Sequence, residues 1–286
     1  MTAVLEPTWT GLVDDAAIFP PGNADLADAA TAHLERRHTA YADLVGSLVV
    51  RDTDLPQLRG CAARVSVVVT GGAGQIAGPA ALCARLGLEP AGLEIALRDL
   101  DDLAGNARRV VTAVDAARAA GDLAEDVPVH VELPQADPSY AWLAAADEVA
   151  AAELRLKFRT GGVDAHHFPT APRLSSWIDA ALDRETPFKC TAGLHHAVRH
   201  TTAEGFVEPV DQHGFLNVLL ATRLAFDGAS QEDVVAALEQ RDAGALAAAA
   251  READLAGARR WFTSFGSCSV QEPLDDLIAL GLLEQP

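Results

Sequence analysis

Lysine is almost missing from this chain. Of 22 basic residues among 286, only Lys157 and Lys189 are lysine, and the other 20 are arginine. Positive charge as a whole is also short, since 41 acidic residues leave a net charge of −19. So acidic a surface repels the phosphates of nucleic acids and anionic membranes, whose binding rests on clustered Lys and Arg, and neither partner is expected. No apolar run approaches the roughly 20 residues that span a bilayer. The opening stretch MTAVLEPTWTG has no basic segment followed by an apolar one, so a cytoplasmic location is expected. The four cysteines, Cys61, Cys83, Cys190 and Cys268, include no C-x-x-C pair. That spacing argues against a zinc knuckle and a disulfide framework and leaves reduced, mostly structural thiols. No G-x-G-x-x-G follows the first strand and no H-E-x-x-H occurs, so no cofactor or resident metal is expected.

What is present is enough apolar sequence, 49% of the chain, to bury a large core. Strand-length apolar runs alternate with Ala-rich stretches of helical period, the pattern of repeated βα units on a parallel sheet. The strands read as Gly11–Asp14, Asp43–Val50, Arg64–Thr70, Leu93–Arg98, Val127–Leu133, Leu154–Arg159, Phe188–Thr191 and Phe262–Gly266. Helices read as Ala24–Arg36, Leu55–Cys61, Gln75–Leu86, Leu100–Ala120, Ser139–Ala152, Pro172–Arg184 and Pro273–Leu283, with a longer helical region over 213–260. The expected fold is α/β: a single (β/α)8 TIM barrel over residues 1–286, with a helical insertion at 200–260 between strands seven and eight. In that insertion His213–Phe226 reads as a helix closed by Gly228, Ser230-Gln-Glu-Asp233 as a capping box, and Ala245–Ala258 as a third helix. Its first reading is extra packing; a lid or a homo-oligomer contact are its other uses.

Barrel enzymes carry their chemistry on inward side chains at the C-terminal ends of strands, and alternation along each strand shows which side chains those are. In strand four Leu93, Ile95 and Leu97 form the outward set, so Glu94 and Arg98 face inward. In strand five His130 and Glu132 do so, in strand six Arg155, Lys157 and Arg159, and in strand seven Lys189 and Thr191. A purely structural barrel fills these layers with Val, Ile and Leu, whereas buried charge is costly unless paired or functional. Arginine stays protonated, but a lysine can be brought to release its proton and attack a carbonyl. A chain that writes Arg nearly everywhere keeps its two lysines 32 residues apart, one βα unit, at neighbouring inward positions. That placement marks Lys157 and Lys189 as the candidate catalytic pair.

Arg51, Arg98 and Arg159 end strands and offer forks for a carboxylate or phosphate. One of Asp14 and Asp15 can join the site from strand one, and Asp14 is taken as that residue, with a structural Arg–Asp pair as its bland alternative. His195, His196 and His200 follow strand seven directly. His196 is the candidate proton mover beside Glu132, and His195 a substrate contact; His166-His167 reads as loop surface. A second reading makes His195, His196 and His200, or His213, ligands of a metal together with Glu132 or Asp14, in a lyase or hydrolase. A third is a non-catalytic binding barrel.

Lys157-Phe-Arg-Thr-Gly-Gly162 and Lys189-Cys-Thr-Ala-Gly193 resemble the paired lysine strands of class I aldolases of the deoxyribose-phosphate aldolase kind. The resemblance implies a Schiff base on the sixth-strand lysine, Lys157, with Lys189 lowering its pKa. Because the wording around Lys189 is the closer to that family's nucleophile motif, the exchanged assignment stays open. The family's fourth-strand Asp has no clear counterpart, since the nearest acid, Glu94, sits early in its strand. Gly266-Ser-Cys-Ser269 is similar to its Gly/Ser phosphate loop, which makes Gly266, Ser267 and Ser269 candidate anion contacts, with Thr191 beside them. The expected function is a lyase that forms a lysine imine with a small anionic oxo substrate and makes or breaks a C–C bond, or dehydrates the adduct.

Overall fold

A computed structural model describes residues 5–203 and 205–285; Met1 to Val4 of the opening stretch and Glu204 of the insertion lie outside the described residues. Eight parallel strands close a barrel: β1 (Val13–Asp15), β2 (Val45–Arg51), β3 (Arg64–Val69), β4 (Glu89–Ala96), β5 (Val129–Glu132), β6 (Arg155–Arg159), β7 (Phe188–Thr191) and, after the insertion, β10 (Phe262–Ser267). They pair in chain order around the ring, and β10 closes it against β1 through Val13 and Phe265, Asp14 and Gly266. The fold is therefore the expected (β/α)8 barrel.

Helices α1 (Leu26–Arg36), α2 (Ala77–Leu86), α3 (Leu103–Ala119), α4 (Tyr140–Ala151) and α5 (Ala171–Leu182) pack outside. Their starts follow from capping side chains: Asp25, Asp102, Ser139 and Thr170 accept from the first-turn N–H groups of α1, α3, α4 and α5. The second unit departs from the expected helix. After β2 the chain forms a 3-10 helix over Asp52–Leu58, with Pro56 inside it, and no α-helix. Pro56 has no N–H to donate and its ring crowds the preceding turn, which disfavours an α-helix running through this segment.

The segment between β7 and β10 differs at its start. Two short antiparallel strands, β8 (His200–Thr202) and β9 (Val210–Gln212), form a hairpin where helix alone was expected. Helices α6 (Phe215–Phe226), α7 (Gln231–Glu239), α8 (Ala243–Glu252) and α9 (Leu255–Ala258) follow. Ser230 caps α7 as its sequence foretold, the Asp233 N–H donating to Ser230 Oγ at 3.2 Å. The third expected helix is broken in two by the Asp254 cap of α9. Helix α10 (Gln271–Ala279) closes the domain. No helix among the described residues is long and apolar enough to cross a membrane.

Behind the two lysine strands the core is aromatic. Phe158 on β6 packs on Phe188 of β7 at 5.1 Å between centroids, Phe188 on Phe262 of β10 at 5.5 Å, and Trp142 and Trp177 of α4 and α5 flank Phe158. These outward rings alternate with the inward lysines, so a close-packed wall fixes the backbone from which Lys157 and Lys189 project. The loops after the two strands are locked together as well. Gly161 and Gly193 approach so closely that a Cβ on Gly161 would lie 2.6 Å from Gly193 Cα, and Gly193 has φ +75°. Only glycine fits there. Thr160 Oγ1 donates to the carbonyl of Ala192 at 2.6 Å across the same seam.

Candidate active site

The β5–β6–β7 register puts Glu132, Lys157 and Lys189 side by side at one height, Lys157 opposite both of the others. Glu94 starts lower, opposite His130, and its side chain reaches up between the two ammonium groups. Its Oε1 accepts from Lys189 Nζ and its Oε2 pairs with Lys157 Nζ, each at 2.7 Å. Lys157 Nζ also lies 3.0 Å from Glu132 Oε2, and Arg159 Nε donates to Glu132 Oε1 at 2.8 Å. At the other end Lys189 Nζ donates to Asp14 Oδ2 at 2.7 Å. Asp14 is held in turn by the hydroxyls of Ser47 and Ser264, both at 2.7 Å. The result is one line of alternating charge across the barrel, Asp14, Lys189, Glu94, Lys157, Glu132 and Arg159, whose three anions and three cations cancel.

Burial and pairing oppose each other along this line, and pairing wins. Desolvation pushes the Glu94 carboxyl up, but Lys157 and Lys189 together hold it well below the usual carboxylate range. Glu132 is likewise held low against its burial by Lys157 and Arg159. Burial alone would lower both lysines; Glu132 and Glu94 raise Lys157, and Asp14 and Glu94 raise Lys189. Beneath them His130 is buried, its ring nitrogens have no hydrogen-bond partner, and burial together with Lys189 keeps it neutral.

These shifts fix the sign of the pH dependence of stability. Glu94 and Glu132 have lowered folded pKa values, so their stabilisation is complete above the unfolded value of 4.5 and is lost as pH falls through the folded values. The lysines have raised folded values, so theirs is complete below 10.5 and is lost as pH rises through the folded ones. Thermal melts should show little pH dependence from this line between those limits, where its stabilisation is complete, and a steep loss of melting temperature below about pH 4.5. A melting temperature that stays level down to about pH 2 would contradict the network.

The line forms the floor of a cavity of about 350 Å³. Lys157, Lys189, Glu94, Glu132 and Arg159 line it together with Arg98, Thr191, His195 and Gly266, while Phe19 and Pro20 of the β1 loop form an apolar wall. The structure thus gathers most of the residues singled out from sequence, but not all. Asp14 sits under Lys189, and its neighbour Asp15 turns the other way to pair with Arg36 of α1, so the Arg–Asp structural pair falls on the second acid. Arg51 is not a lining residue: its guanidinium stacks 4.6 Å from the Phe19 ring centroid and lies 3.5 Å from Asp54, bracing that wall from behind. Ser267 is buried, with Oγ accepting from the Ser269 N–H, and Ser269 Oγ accepts from the Glu272 N–H of α10. Both hydroxyls therefore serve the loop itself.

Of the histidines, His195 lines the cavity and has Glu272 Oε2 3.2 Å from Nδ1. His196 lies outside that cavity, half-exposed, with Asp276 at 3.1 Å raising its pKa. His213 is sealed in the core: Nε2 lies 2.8 Å from the Pro169 carbonyl, Nδ1 accepts from Arg199 at 3.0 Å, and burial pushes it down to about 4. No three ligand atoms from these histidines with Glu132 or Asp14 come within 4.8 Å of one another. Among the described residues only Asp164, His166 and His167, on the loop after β6, do so. Burial pushes the Cys190 thiol up despite the nearby Lys189 ammonium, and Cys268 is raised by burial as well; neither is poised as a thiolate.

Glu94, central to the geometry, faces inward by strand alternation but lies outside the set of site residues expected from sequence. The signal was available, because an acid placed inward between two inward lysines has to pair with them.

No family model matches the chain, and no curated protein matches it in sequence. Among solved structures, the tetrameric deoxyribose phosphate aldolase from Aeropyrum pernix superposes with a TM-score of 0.56 over 96% of this chain and 93% of that one, at 14% identity. That likeness is one of fold. A Yersinia pestis DHPS bound to a pterine–sulfa conjugate aligns at 12% identity over 97% of this chain and 95% of that one, with a TM-score of 0.41, too low to carry an argument.

Proposed function

We propose that the protein is an enzyme of the Schiff-base lyase type, in which Lys157 forms an imine with a small anionic oxo substrate and the C–C bond one carbon beyond the imine carbon is made or broken. The observation that carries this reading is the line of paired charge on the cavity floor, with a lysine flanked by two carboxylates beneath two arginines.

Lys157 is the better nucleophile of the pair. Its partner Glu132 lines the cavity and is part-exposed, so a proton can move from Nζ to Oε2 across 3.0 Å. Lys189 is anchored by a buried aspartate that two serine hydroxyls also hold, and it stays an ammonium. A substrate carboxylate that takes over Arg159 removes the cation from Glu132 and so makes Glu132 a stronger base when it is needed. The neutral amine then attacks the carbonyl carbon. Glu132 returns its proton to the resulting hydroxyl, which leaves as water. The protonated imine carries the same single positive charge as the ammonium it replaced, in front of the same two carboxylates, so the buried line remains neutral. Electrons from the bond between the carbon next to the imine and the carbon beyond it flow into the imine and leave an enamine. Arg98 and Arg159, at the rim, match the substrate's anionic end.

Borohydride reduction during incubation with small 2-oxo acids tests this. Intact-mass spectrometry is expected to show the protein gaining the mass of the oxo acid less one oxygen. Turnover of a compound that never gives this adduct would overturn the proposal. Arg98→Ala should raise KM for an anionic substrate by about ten- to a hundredfold, the loss of one charge-assisted contact, with a smaller effect on kcat. Equal losses for anionic and uncharged substrates would remove Arg98 from the anion site.

A further inference from the structure

The cavity above the lysines does not end at the barrel axis. A second chamber of about 440 Å³ adjoins it and shares six lining residues with it: Pro20, Gly162, Val163, Ala192, His195 and Cys268. The shared wall makes them two rooms of one site. The second room lies on the side of the β8–β9 hairpin, and its chemistry differs from the first. Phe168, from the loop after β6, meets Phe206, from the hairpin loop, edge to face at 5.4 Å between centroids. Pro21 and the rings of His196 and His200 add further flat surface. Among the described residues lining this room there is no lysine or arginine, and its one formal charge, on Glu272, is negative.

We infer that the second chamber binds the part of the substrate beyond the breaking bond, and that this part is an uncharged aromatic group. The inference rests on the imine reading above for the position of the reacting carbon. An anion belongs under Arg98 and Arg159 in the first room, and Glu272 repels a second one from the other. Two phenyl rings, two prolines and three imidazoles offer stacking and edge-to-face contact to a flat apolar ring. The substrate class that spans both rooms is a 4-aryl-4-hydroxy-2-oxo acid, which breaks into a short 2-oxo acid and an aromatic aldehyde. His195 lines both rooms, where the bond between them would break. With Nδ1–H donated to Glu272 Oε2 at 3.2 Å, its Nε2 is the ring's acceptor. In the cleavage step Nε2 takes the proton of the C4 hydroxyl, C4 becomes the aldehyde carbonyl, and the C3–C4 electron pair passes into the imine to form the enamine. Addition is the reverse.

Two measurements test this separately from the imine. The first compares cleavage of 4-hydroxy-2-oxo-4-phenylbutanoate with that of 4-hydroxy-2-oxopentanoate, which has a methyl in place of the phenyl. The phenyl compound is expected to have a kcat/KM about ten- to a hundredfold higher, and Phe206→Ala, at a part-exposed position, should bring the ratio towards one. A ratio near one in the unaltered enzyme, or one that Phe206→Ala leaves as it was, would overturn the inference. The second is calorimetric titration of Lys157→Arg, which cannot form an imine, with 4-phenyl-2-oxobutanoate and with 2-oxopentanoate. Tighter binding of the phenyl compound supports the aromatic chamber even if no imine forms in the unaltered enzyme, and equal binding rejects the chamber even if the imine is trapped.

Discussion

Lys157→Arg should fold and melt close to the unaltered protein, lose the borohydride-trapped adduct altogether, and lose kcat by roughly four to six orders of magnitude, the scale set by removing a covalent nucleophile. Arginine is the informative replacement because it keeps a cation between Glu94 and Glu132, so the line of charge stays neutral and stability is preserved. Only the removable proton and the attacking lone pair are taken away. Lys189→Arg also keeps its charge, but here the charge is the function proposed. It should retain the adduct and lose only about ten- to a hundredfold in kcat, from the displacement of Glu94 and the crowding of a larger head group. If Lys189→Arg abolishes the adduct and Lys157→Arg does not, the two lysines exchange roles, as the wording of the Lys189-Cys-Thr-Ala-Gly193 strand allows. Thermal melts and cleavage assays on the two variants decide this.

Glu94→Gln should be the most damaging isosteric change for the fold. It leaves two buried ammonium groups facing a neutral amide, at sites where Lys157 and Lys189 have only 5% and 2% of their side chains exposed. Breaking a buried pair by removing one partner costs about 3–5 kcal/mol, which in a chain of this size lowers the melting temperature by roughly 10 °C. The same substitution removes an anion that raises both lysines, so their pKa values fall. The amine is then free at lower pH, and the alkaline rise in adduct formation should move to lower pH in Glu94→Gln. If neither the melting temperature nor this pH profile changes, Glu94 is not the bridge between the lysines.

Much of this was legible in the sequence because a barrel strand is a period-two object. Alternation alone put Lys157, Arg159, Glu132 and Lys189 inside, and the outward aromatic wall of Phe158 and Phe188 is the other half of the same pattern. Height along the barrel axis was not legible. Staggered strands place Ala96, not Glu94, opposite Glu132, so a residue two positions below the site in its own strand still reaches it with a long side chain. The pairing of Ser267 and Ser269 with their own loop was hidden for a similar reason, since a Gly/Ser run reads alike whether its hydroxyls face a ligand or cap a helix. Arg51 ended a strand as foreseen, but Phe19 from the preceding loop claimed its guanidinium. The hairpin at His200–Gln212 is only three residues long on each side, too short to show a strand period against the helical stretch that follows.

The near absence of lysine, where the sequence first stood out, makes the decisive experiment unusually clean. Only two ε-amines exist in the chain, so a reduced adduct on a lysine has two addresses. Trypsin does not cut after a modified lysine. An adduct on Lys157 therefore gives the uncleaved peptide Leu156–Arg159 carrying the reduced substrate, and one on Lys189 gives Glu185–Arg199. Peptide mapping after borohydride reduction with a turned-over substrate is expected to show the modified Leu156–Arg159 peptide and an unmodified, cleaved Lys189. Complete cleavage at both lysines from an enzyme shown to be active on that substrate would contradict the imine at the centre of this account.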